Sequence, residues 1–129
     1  MATLLEVIYQ ACELISAPER WCSTTWGRDA NHAPLTRQQI TTRRETPSRL
    51  CLAAAIIRAA PDTDTRERAM IALADAINPT AINHANANQT QYEHAINIIT
   101  ATNDHARSHT TLLVTLRALL DKLDANPPE

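Results

Sequence analysis

Glycine and aromatic residues are scarce in this chain. Among its 129 residues there is one glycine, Gly27, and there is no phenylalanine. A single glycine argues against folds built from many tight β-turns and against the glycine-rich loops that hold nucleotide phosphates. Aromatic residues make up 3% of the chain, so leucine, isoleucine and alanine must fill the interior. Since the hydrophobic fraction is 44%, the sequence is typical of one globular domain.

Cysteine is also scarce, and its spacing excludes the common cysteine motifs. Cys12, Cys22 and Cys51 are odd in number and include no Cys-x-x-Cys pair, so we expect free thiols and a reducing compartment. The N-terminal residues lack the basic start and unbroken apolar run of a signal peptide. No stretch approaches the ~20 apolar residues that a membrane span requires. These features predict a soluble cytoplasmic protein without a membrane partner.

The most apolar segment, residues 47–60, predicts a buried central helix. Its sequence, PSRLCLAAAIIRAA, leaves almost no polar face, and a helix of this kind must be covered on most sides. Thr46 is placed to cap its N-terminus, and Pro47 suits the first helical position. Pro61 then ends it. We expect the other helices to pack around this segment.

Helical periodicity and capping residues predict four further helices. The predicted spans are residues 3–16, residues 64–77, residues 90 to about 102, and residues 108 to about 125. The predicted capping pairs are Thr3 with Glu6, Asp64 with Glu67, and Thr90 with Glu93. Between them, the asparagine-rich residues 80–89 have room for one or two helical turns at most.

Residues 19–46 are the least regular part of the chain. Trp21 and Trp26 are expected at the edge of the core, because exposed indoles would be costly. Strand-favouring residues before Gly27 and a turn-like segment after it indicate a short β-hairpin reaching Leu35. The alternative is a short helix over residues 35–44 with Leu35 and Ile40 inward. The sequence thus predicts a mainly α bundle of about five helices as a single domain, residues 1–125, with a disordered tail, residues 126–129.

No residue pattern indicates catalysis or a cofactor. The serines lack the Gly-x-Ser-x-Gly turn, and one glycine is too few for a Rossmann or P-loop fingerprint. His105 and His109, next to Asp104, could bind zinc with His84 or His94, but a turn is predicted between the first two. Exposed histidines near helix ends are the favoured interpretation. We therefore predict no metal and no cofactor, and the sequence leans against an enzyme.

An asparagine occupies an inward position of a predicted helix. Asn103 continues the apolar stripe of that helix, and a buried amide without hydrogen bonds costs about 1–3 kcal/mol. The favoured prediction gives it backbone partners where this helix ends and the next begins, with Asp104 helping to cap the following N–H groups. The alternative is a polar pocket formed by Trp21, Trp26, Tyr92, Asn103 and Asp104.

Basic residues concentrate between positions 20 and 49. This segment contains Arg20, Arg28, Arg37, Arg43, Arg44 and Arg49 against Asp29 and Glu45. Residues 35–56 loosely imitate a helix-turn-helix, but after Arg49 the second helix offers mainly apolar side chains, which cannot read bases. Arg37, Arg43, Arg44 and Arg49 remain candidate contacts for nucleic acid or for an acidic partner through charge.

Several short features follow one another along the chain. They are an opening amphipathic helix, Arg20-Trp21 and Arg28-Asp29 in a loop, the segment CLAAAI at residues 51–56, and Asn103-Asp104 before a final helix. Over residues 3 to about 119 they resemble a family of small uncharacterised proteins from actinobacteria and their phages, a domain of unknown function. Ala54 and Thr102 stand where that family usually has a glycine and an aromatic residue. The resemblance implies an actinobacterial or phage source and supplies no activity.

Three classes of function follow from these observations. The first is a small non-catalytic protein that acts through contacts with a partner protein, and a homodimer is compatible with it. The second is a nucleic-acid-binding accessory or regulatory protein that uses the arginine-rich residues 20–49. The third is an enzyme with a pocket beside the two tryptophans. The absence of catalytic motifs favours the first.

Overall fold

The computed structural model describes residues 3–42, 46–79 and 90–128. Within these ranges the fold is mainly α, as predicted, with six α-helices and three very short β-strands. The helices are α1 (Leu4–Leu14), α2 (Arg37–Thr42), α3 (Leu52–Ala59), α4 (Thr63–Ile77), α5 (Gln91–His105) and α6 (His109–Ala125). The strands are β1 (Gly27–Arg28), β2 (Pro34–Leu35) and β3 (Arg49–Leu50).

Helix α3 lies at the centre of the core, as its apolar sequence predicts. Residues 52–57 are all buried, and the helix contacts α1, α2, α4 and α5. The predicted start of this helix is wrong, however. Arg49 and Leu50 form β3, and the N-cap is Cys51 rather than Thr46, with the Ala54 N–H donating to the Cys51 Sγ at 3.4 Å. Backbone pairing with β1 holds residues 49–50 extended, and this pairing delays the helix.

Local capping signals place the other helix starts well. The side chains of Thr3, Thr90 and Ser108 accept the backbone N–H groups of Glu6, Glu93 and Thr111. The start of α4 is the exception, because Asp62 caps this helix rather than Asp64 and accepts the Thr65 N–H at 2.7 Å. Helix α5 runs to His105, beyond the predicted end near residue 102. Asn103 and Asp104 therefore belong to the last turn of a helix.

A hairpin and a short helix both form between residues 27 and 42, but the first strand is Gly27–Arg28 rather than the predicted residues before Gly27. Strands β1 and β2 pair antiparallel, and α2 follows them with Ile40 buried. Strand β3 pairs antiparallel with the other edge of β1, so the strand order is β2-β1-β3. On the far side of β3, Trp21 pairs with Leu50, which extends the sheet by one bridge.

The two faces of this sheet carry different residues. In register, Gly27 lies opposite Leu35 and Leu50, while Arg28 lies opposite Pro34 and Arg49. Because side chains alternate across a strand, the first row faces the core and the second row faces outward. Burial agrees, since Leu35, Gly27 and Leu50 are all buried. Arg28 and Arg49 are consequently neighbours on the outer face.

Gly27 is required by the close approach of the three strands to α2. A Cβ atom at this position would lie 2.8 Å from the Arg49 carbonyl oxygen and 3.1 Å from the Ile40 Cδ1. A contact of 2.8 Å with backbone cannot be relieved by a side-chain rotation. The single glycine therefore sets the spacing of the strands that carry the two arginines.

The rest of the fold leaves two predictions without an outcome. The prediction for residues 80–89 falls outside the described residues. Residues 126–128 follow α6 without regular structure, and the disorder expected of the tail stays a prediction.

Trp21 and Trp26 pack against the core while half-buried, as predicted. None of the helices in the described ranges is long and apolar enough to cross a membrane.

Candidate functional site

Asn103 joins three distant parts of the chain through its side chain. Its Oδ1 accepts the indole N–H of Trp21 at 2.8 Å and the backbone N–H of Leu52 at 3.0 Å. Its Nδ2 donates to the Cys22 carbonyl at 3.1 Å and to an Asp104 carboxylate oxygen at 3.0 Å. The side chain is fully buried, and its bonds with the Leu52 N–H and the Cys22 carbonyl are shielded from water. Asn103 thus fixes the segment around Trp21 to the start of α3.

The prediction for the Asn103 partners is wrong in one respect. They do not lie in the turn after α5, because α5 continues past Asn103 and its side chain points toward the start of α3. Asp104 likewise contacts an earlier part of the chain, because its carboxylate accepts the Thr24 N–H at 2.8 Å. Thr24 has a positive φ of 66°, an uncommon backbone conformation that this bond helps to hold. Both polar residues are used to position residues 21–24.

A cleft of about 570 Å³ opens beside this positioned segment. We name it the arginine cleft and define it by Pro18, Trp21, Arg28, His32, Arg49 and His109, with residues 22–24 completing its lining. The outer face of β1 and β3 supplies the two arginines. The start of α6 supplies His109, whose ring centroid lies 5.6 Å from that of Trp21. No acidic side chain occurs in this lining, as far as the chain is described.

Both arginines of the cleft are held by backbone carbonyls. The Arg49 Nη1 donates to the carbonyls of Pro18 and Trp21, at 3.1 Å each. The Arg28 Nη1 donates to the His32 carbonyl at 2.8 Å. Within residues 3–42, 46–79 and 90–128, neither guanidinium forms an ion pair with a carboxylate. Two fixed positive charges therefore share one face of the sheet without a paired carboxylate among the described residues.

Two carboxylates near this face, those of Asp29 and Asp104, are already engaged. Asp29 accepts the N–H groups of Asn31 and Ala33 at 2.9 and 3.0 Å, which closes the β1–β2 turn. Asp104 is engaged by Asn103 and Thr24, as described above. Because each carboxylate accepts local N–H groups, its negative charge is partly compensated and neutralises Arg28 and Arg49 less.

The pKa of the Cys22 thiol, in the lining of the cleft, is shifted by burial and by the nearby charges. Burial raises its pKa to about 11, while the positive charges of Arg28 and Arg49 act in the opposite direction. Burial likewise raises the pKa of Cys51 to about 12. Thiols with such pKa values stay protonated near neutral pH and are poor nucleophiles. The arrangement does not support cysteine chemistry at this site.

The His109 ring is held in place by a hydrogen bond that already uses its Nε2–H group. Its Nε2 lies 2.7 Å from the Ile15 carbonyl oxygen, and because a carbonyl can only accept, this nitrogen carries the hydrogen. His105 ends α5 and His109 begins α6. Among the residues that the structure describes, no group of three or more histidine, cysteine, aspartate or glutamate side chains is placed to hold a metal ion.

The other predicted site residues lie in a second cluster. The Arg37 guanidinium lies 5.7 Å from the ring centroid of Trp26 and 5.6 Å from that of Tyr92. It also pairs with Glu93, with an Nη2–Oε1 distance of 3.2 Å. Partial burial acts to lower the pKa of Arg37, but the hydrogen bond with Glu93 raises it above its usual value. Arg37 is thus engaged within the fold.

The predicted residues therefore separate into distinct sets. Trp21, Asn103 and Asp104 are joined by hydrogen bonds, whereas Trp26 and Tyr92 accompany Arg37. A small cavity of about 90 Å³ is lined by both Trp26 and Asp104. Of the four predicted arginines, Arg49 lies in the cleft and Arg37 does not, while Arg43 and Arg44 fall outside the described residues.

Sequence reasoning did not select the partner of Arg49 in the cleft. Arg28 belongs to the basic segment, yet nothing in its spacing from Arg49 indicates that the two lie opposite each other. The alternation of side chains along paired strands was the usable signal, but strands of two residues are too short to reveal their register. His32 and His109 come from parts of the chain that only the fold brings together.

Comparison with known proteins identifies a family and no activity. A family model described as "Family of unknown function (DUF6197)" matches residues 1–122. No curated protein matches the chain, and no solved structure matches it.

Proposed function

The chain belongs to DUF6197, a family of unknown function, and we propose that it is a non-catalytic protein that binds an acidic partner protein through the arginine cleft. One observation carries the proposal. Arg28 and Arg49 lie directly opposite each other on the same sheet face, both are fixed by backbone carbonyls, and no described carboxylate pairs with them.

The positions of Arg28 and Arg49 are electrostatically unfavourable in the absence of a bound anion. Residues opposite each other in an antiparallel pair have Cα atoms about 4.5–5.5 Å apart, and like charges in that position destabilise a sheet. The contacts with the Pro18, Trp21 and His32 carbonyls reduce the repulsion without neutralising it. An acidic group bound between the two guanidinium groups would reduce it further and gain charge-assisted hydrogen bonds.

The cleft has the features of a docking groove on a protein surface. The half-buried Trp21 offers a flat apolar wall whose orientation is fixed by the bond from its indole N–H to Asn103. Pro18 adds apolar surface next to Arg49. Tryptophan and arginine are the residues that most often dominate binding energy at protein interfaces. A partner segment with one acidic residue beside an apolar one would fit this combination.

Nucleic-acid binding is supported less well by the same residues. Strong binding to DNA or RNA requires a series of phosphate contacts along the backbone. Arg37 is paired with Glu93, and the formal net charge of the whole chain is −2, so a long basic track is not evident in the described residues. Nucleic acid is nevertheless a defined outcome of the experiment below.

The proposal also includes a cytoplasmic location and an actinobacterial or phage origin. The three cysteines are free, and a reducing compartment is the ordinary setting for buried unpaired thiols. The basic residues are nearly all arginine, with Lys122 as the single lysine, which is common where coding sequences are rich in G and C. Finding the encoding gene within a prophage or an actinobacterial genome would test the origin.

Affinity capture from the encoding organism tests the binding proposal. The full chain, Arg28→Gln and Arg117→Gln would be immobilised in parallel and the captured proteins identified. Arg117 is exposed on α6, away from the cleft lining, and serves as the matched control. Within the described residues, the Arg28 side chain bonds only to the His32 carbonyl in an exposed turn, so its replacement should leave the fold intact, which thermal unfolding checks.

We expect one defined protein to be captured by the native chain and by Arg117→Gln, and lost with Arg28→Gln. Its direct binding should persist when both purified proteins are mixed after nuclease treatment. Capture that is unaffected by Arg28→Gln would contradict the proposal, because the cleft would then be unused. Capture that nuclease abolishes would favour the nucleic-acid function instead.

A further inference from the structure

The charge of the arginine cleft defines which acidic group it suits best. Each guanidinium has five N–H donors. The side-chain hydrogen bonds of Arg28 and Arg49 use only the Nη1 groups, which leaves the Nε and Nη2 donors of both without a partner in the described part of the chain. The cleft therefore combines two full positive charges with several unused donors on one sheet face.

A single carboxylate does not balance this site. It carries one negative charge and accepts one bidentate guanidinium, so the second arginine would stay uncompensated. A phosphate monoester carries about −1.5 to −2 charges near neutral pH and presents three acceptor oxygens. Two guanidinium groups match that charge, and three oxygens can receive donors from both of them. Charge complementarity thus favours a phosphate monoester over an aspartate or glutamate side chain.

The same charge count separates a phosphorylated side chain from a nucleic-acid backbone. Each phosphate within a nucleic-acid strand carries one negative charge, and affinity comes from many such contacts in succession. The cleft instead has two arginines in one lining, Arg49 bonded to the Pro18 and Trp21 carbonyls and Arg28 bonded to the His32 carbonyl. Its lining has apolar surface beside the charges, which suits the residues that flank a modified side chain.

We propose that the arginine cleft recognises a phosphorylated side chain of the partner protein, with Arg28 and Arg49 binding one phosphate monoester dianion between them. This inference rests on the proposed function, and it adds that binding depends on phosphorylation of the partner. Trp21 packs against a residue next to the phosphorylated one. Asn103 and Asp104 act indirectly as positioning residues, because they hold residues 21–24 in place.

Calorimetric titration of the full chain with short probe peptides tests this inference. The probes are one peptide with a central phosphoserine, the same peptide with glutamate, the same peptide with unmodified serine, adenosine monophosphate, and single-stranded DNA. All titrations are made at one low ionic strength, because salt weakens every charge-based contact. Arg28→Gln removes one of the two positive charges of the cleft. Arg28→Lys keeps that charge but loses the paired N–H donors of the guanidinium, and Arg117→Gln is the control.

We expect the phosphoserine peptide to bind with one-to-one stoichiometry and at least about tenfold more tightly than the glutamate peptide. Arg28→Gln should weaken this binding by about tenfold or more, since a charge-assisted bond is lost, and Arg28→Lys should weaken it less. Arg117→Gln should leave it unchanged.

Three results would overturn the inference. Equal affinity for the phosphoserine and glutamate peptides would leave a general acidic site, so the proposed function would stand without phosphorylation. Tighter binding of adenosine monophosphate or of DNA would assign the cleft to another source of phosphate. Absence of binding by every anion would remove the phosphate site, and the capture experiment with Arg28→Gln would then decide the proposed function separately.

Discussion

Replacing Asn103 with alanine is the perturbation that the structure constrains most tightly. The substitution removes both the acceptor and the donor of the buried amide but keeps the helical backbone of α5. It leaves the Leu52 N–H and the Cys22 carbonyl without partners in the buried interior. The indole N–H of the half-buried Trp21 also loses its acceptor but can turn toward water.

The expected loss follows from the number of buried groups left unpaired. Each costs about 1–3 kcal/mol when its partner is removed, so the two backbone groups together cost about 2–6 kcal/mol. Proteins of this size are stable by about 5–15 kcal/mol in total. We therefore expect Asn103→Ala to lose a large fraction of the free energy of unfolding, even before any cavity is counted.

Urea unfolding followed by far-UV circular dichroism measures this loss. Asn97→Ala is the matched control, because Asn97 lies on the same helix and is exposed. Its free energy of unfolding should change by less than about 0.5 kcal/mol. Should the native fold of Asn103→Ala prove too unstable to measure, Asn103→Ser supplies a hydroxyl in place of the amide and should lose less. A loss below about 1 kcal/mol for Asn103→Ala would refute the reasoning, since the buried groups would then have found other partners.

Three further predictions test separate parts of the fold. Gly27→Ala should lower the free energy of unfolding by about 1–3 kcal/mol, because its Cβ would lie 2.8 Å from the Arg49 carbonyl oxygen; an unchanged urea midpoint would contradict this. Ser108→Ala should cost about 0.5–2 kcal/mol in the same assay through loss of the α6 cap, and Thr110→Ala, at an exposed position of that helix, should cost less. Burial raises the pKa of Cys51 from 9.0 to about 12. The contribution of this protonated thiol to the free energy of unfolding is therefore complete below about pH 9 and is lost as the pH rises toward 12. Cys51 should contribute up to about 1.4 kcal/mol per pH unit to the loss of stability in that window, beside the losses from Cys12 and Cys22, and Cys51→Ala should show a shallower fall.

Features encoded by neighbouring residues could be predicted from the sequence. Thr3, Thr90 and Ser108 mark helix starts because each cap bonds to an N–H three residues away, and this relation is visible in the sequence. The burial of α3 follows from its composition alone. The two-residue shift from Asp64 to Asp62 at the start of α4 shows the precision of such signals, since both acidic residues suit a helix N-terminus.

Features that depend on residues far apart could not be predicted in this way. Thr46 and Pro47 have the local pattern of a helix start, but pairing between β1 and β3 outweighs it and moves the start to Leu52. Asn103 was identifiable as an inward polar residue, whereas its bonds to Trp21 and Leu52 span 82 and 51 positions. The cleft depends in the same way on strand register, which two-residue strands do not encode visibly.

The central claim is that Arg28 and Arg49 together bind one anionic group. NMR detection of arginine Nε–H groups during titration with inorganic phosphate tests it most directly, with assignments from Arg28→Gln and Arg49→Gln. We expect saturable shifts of these two signals and of the Trp21 indole N–H, while the signal of the exposed Arg117 stays unchanged. Shifts of similar size at all arginines, or no saturable shift at Arg28 and Arg49, would contradict it.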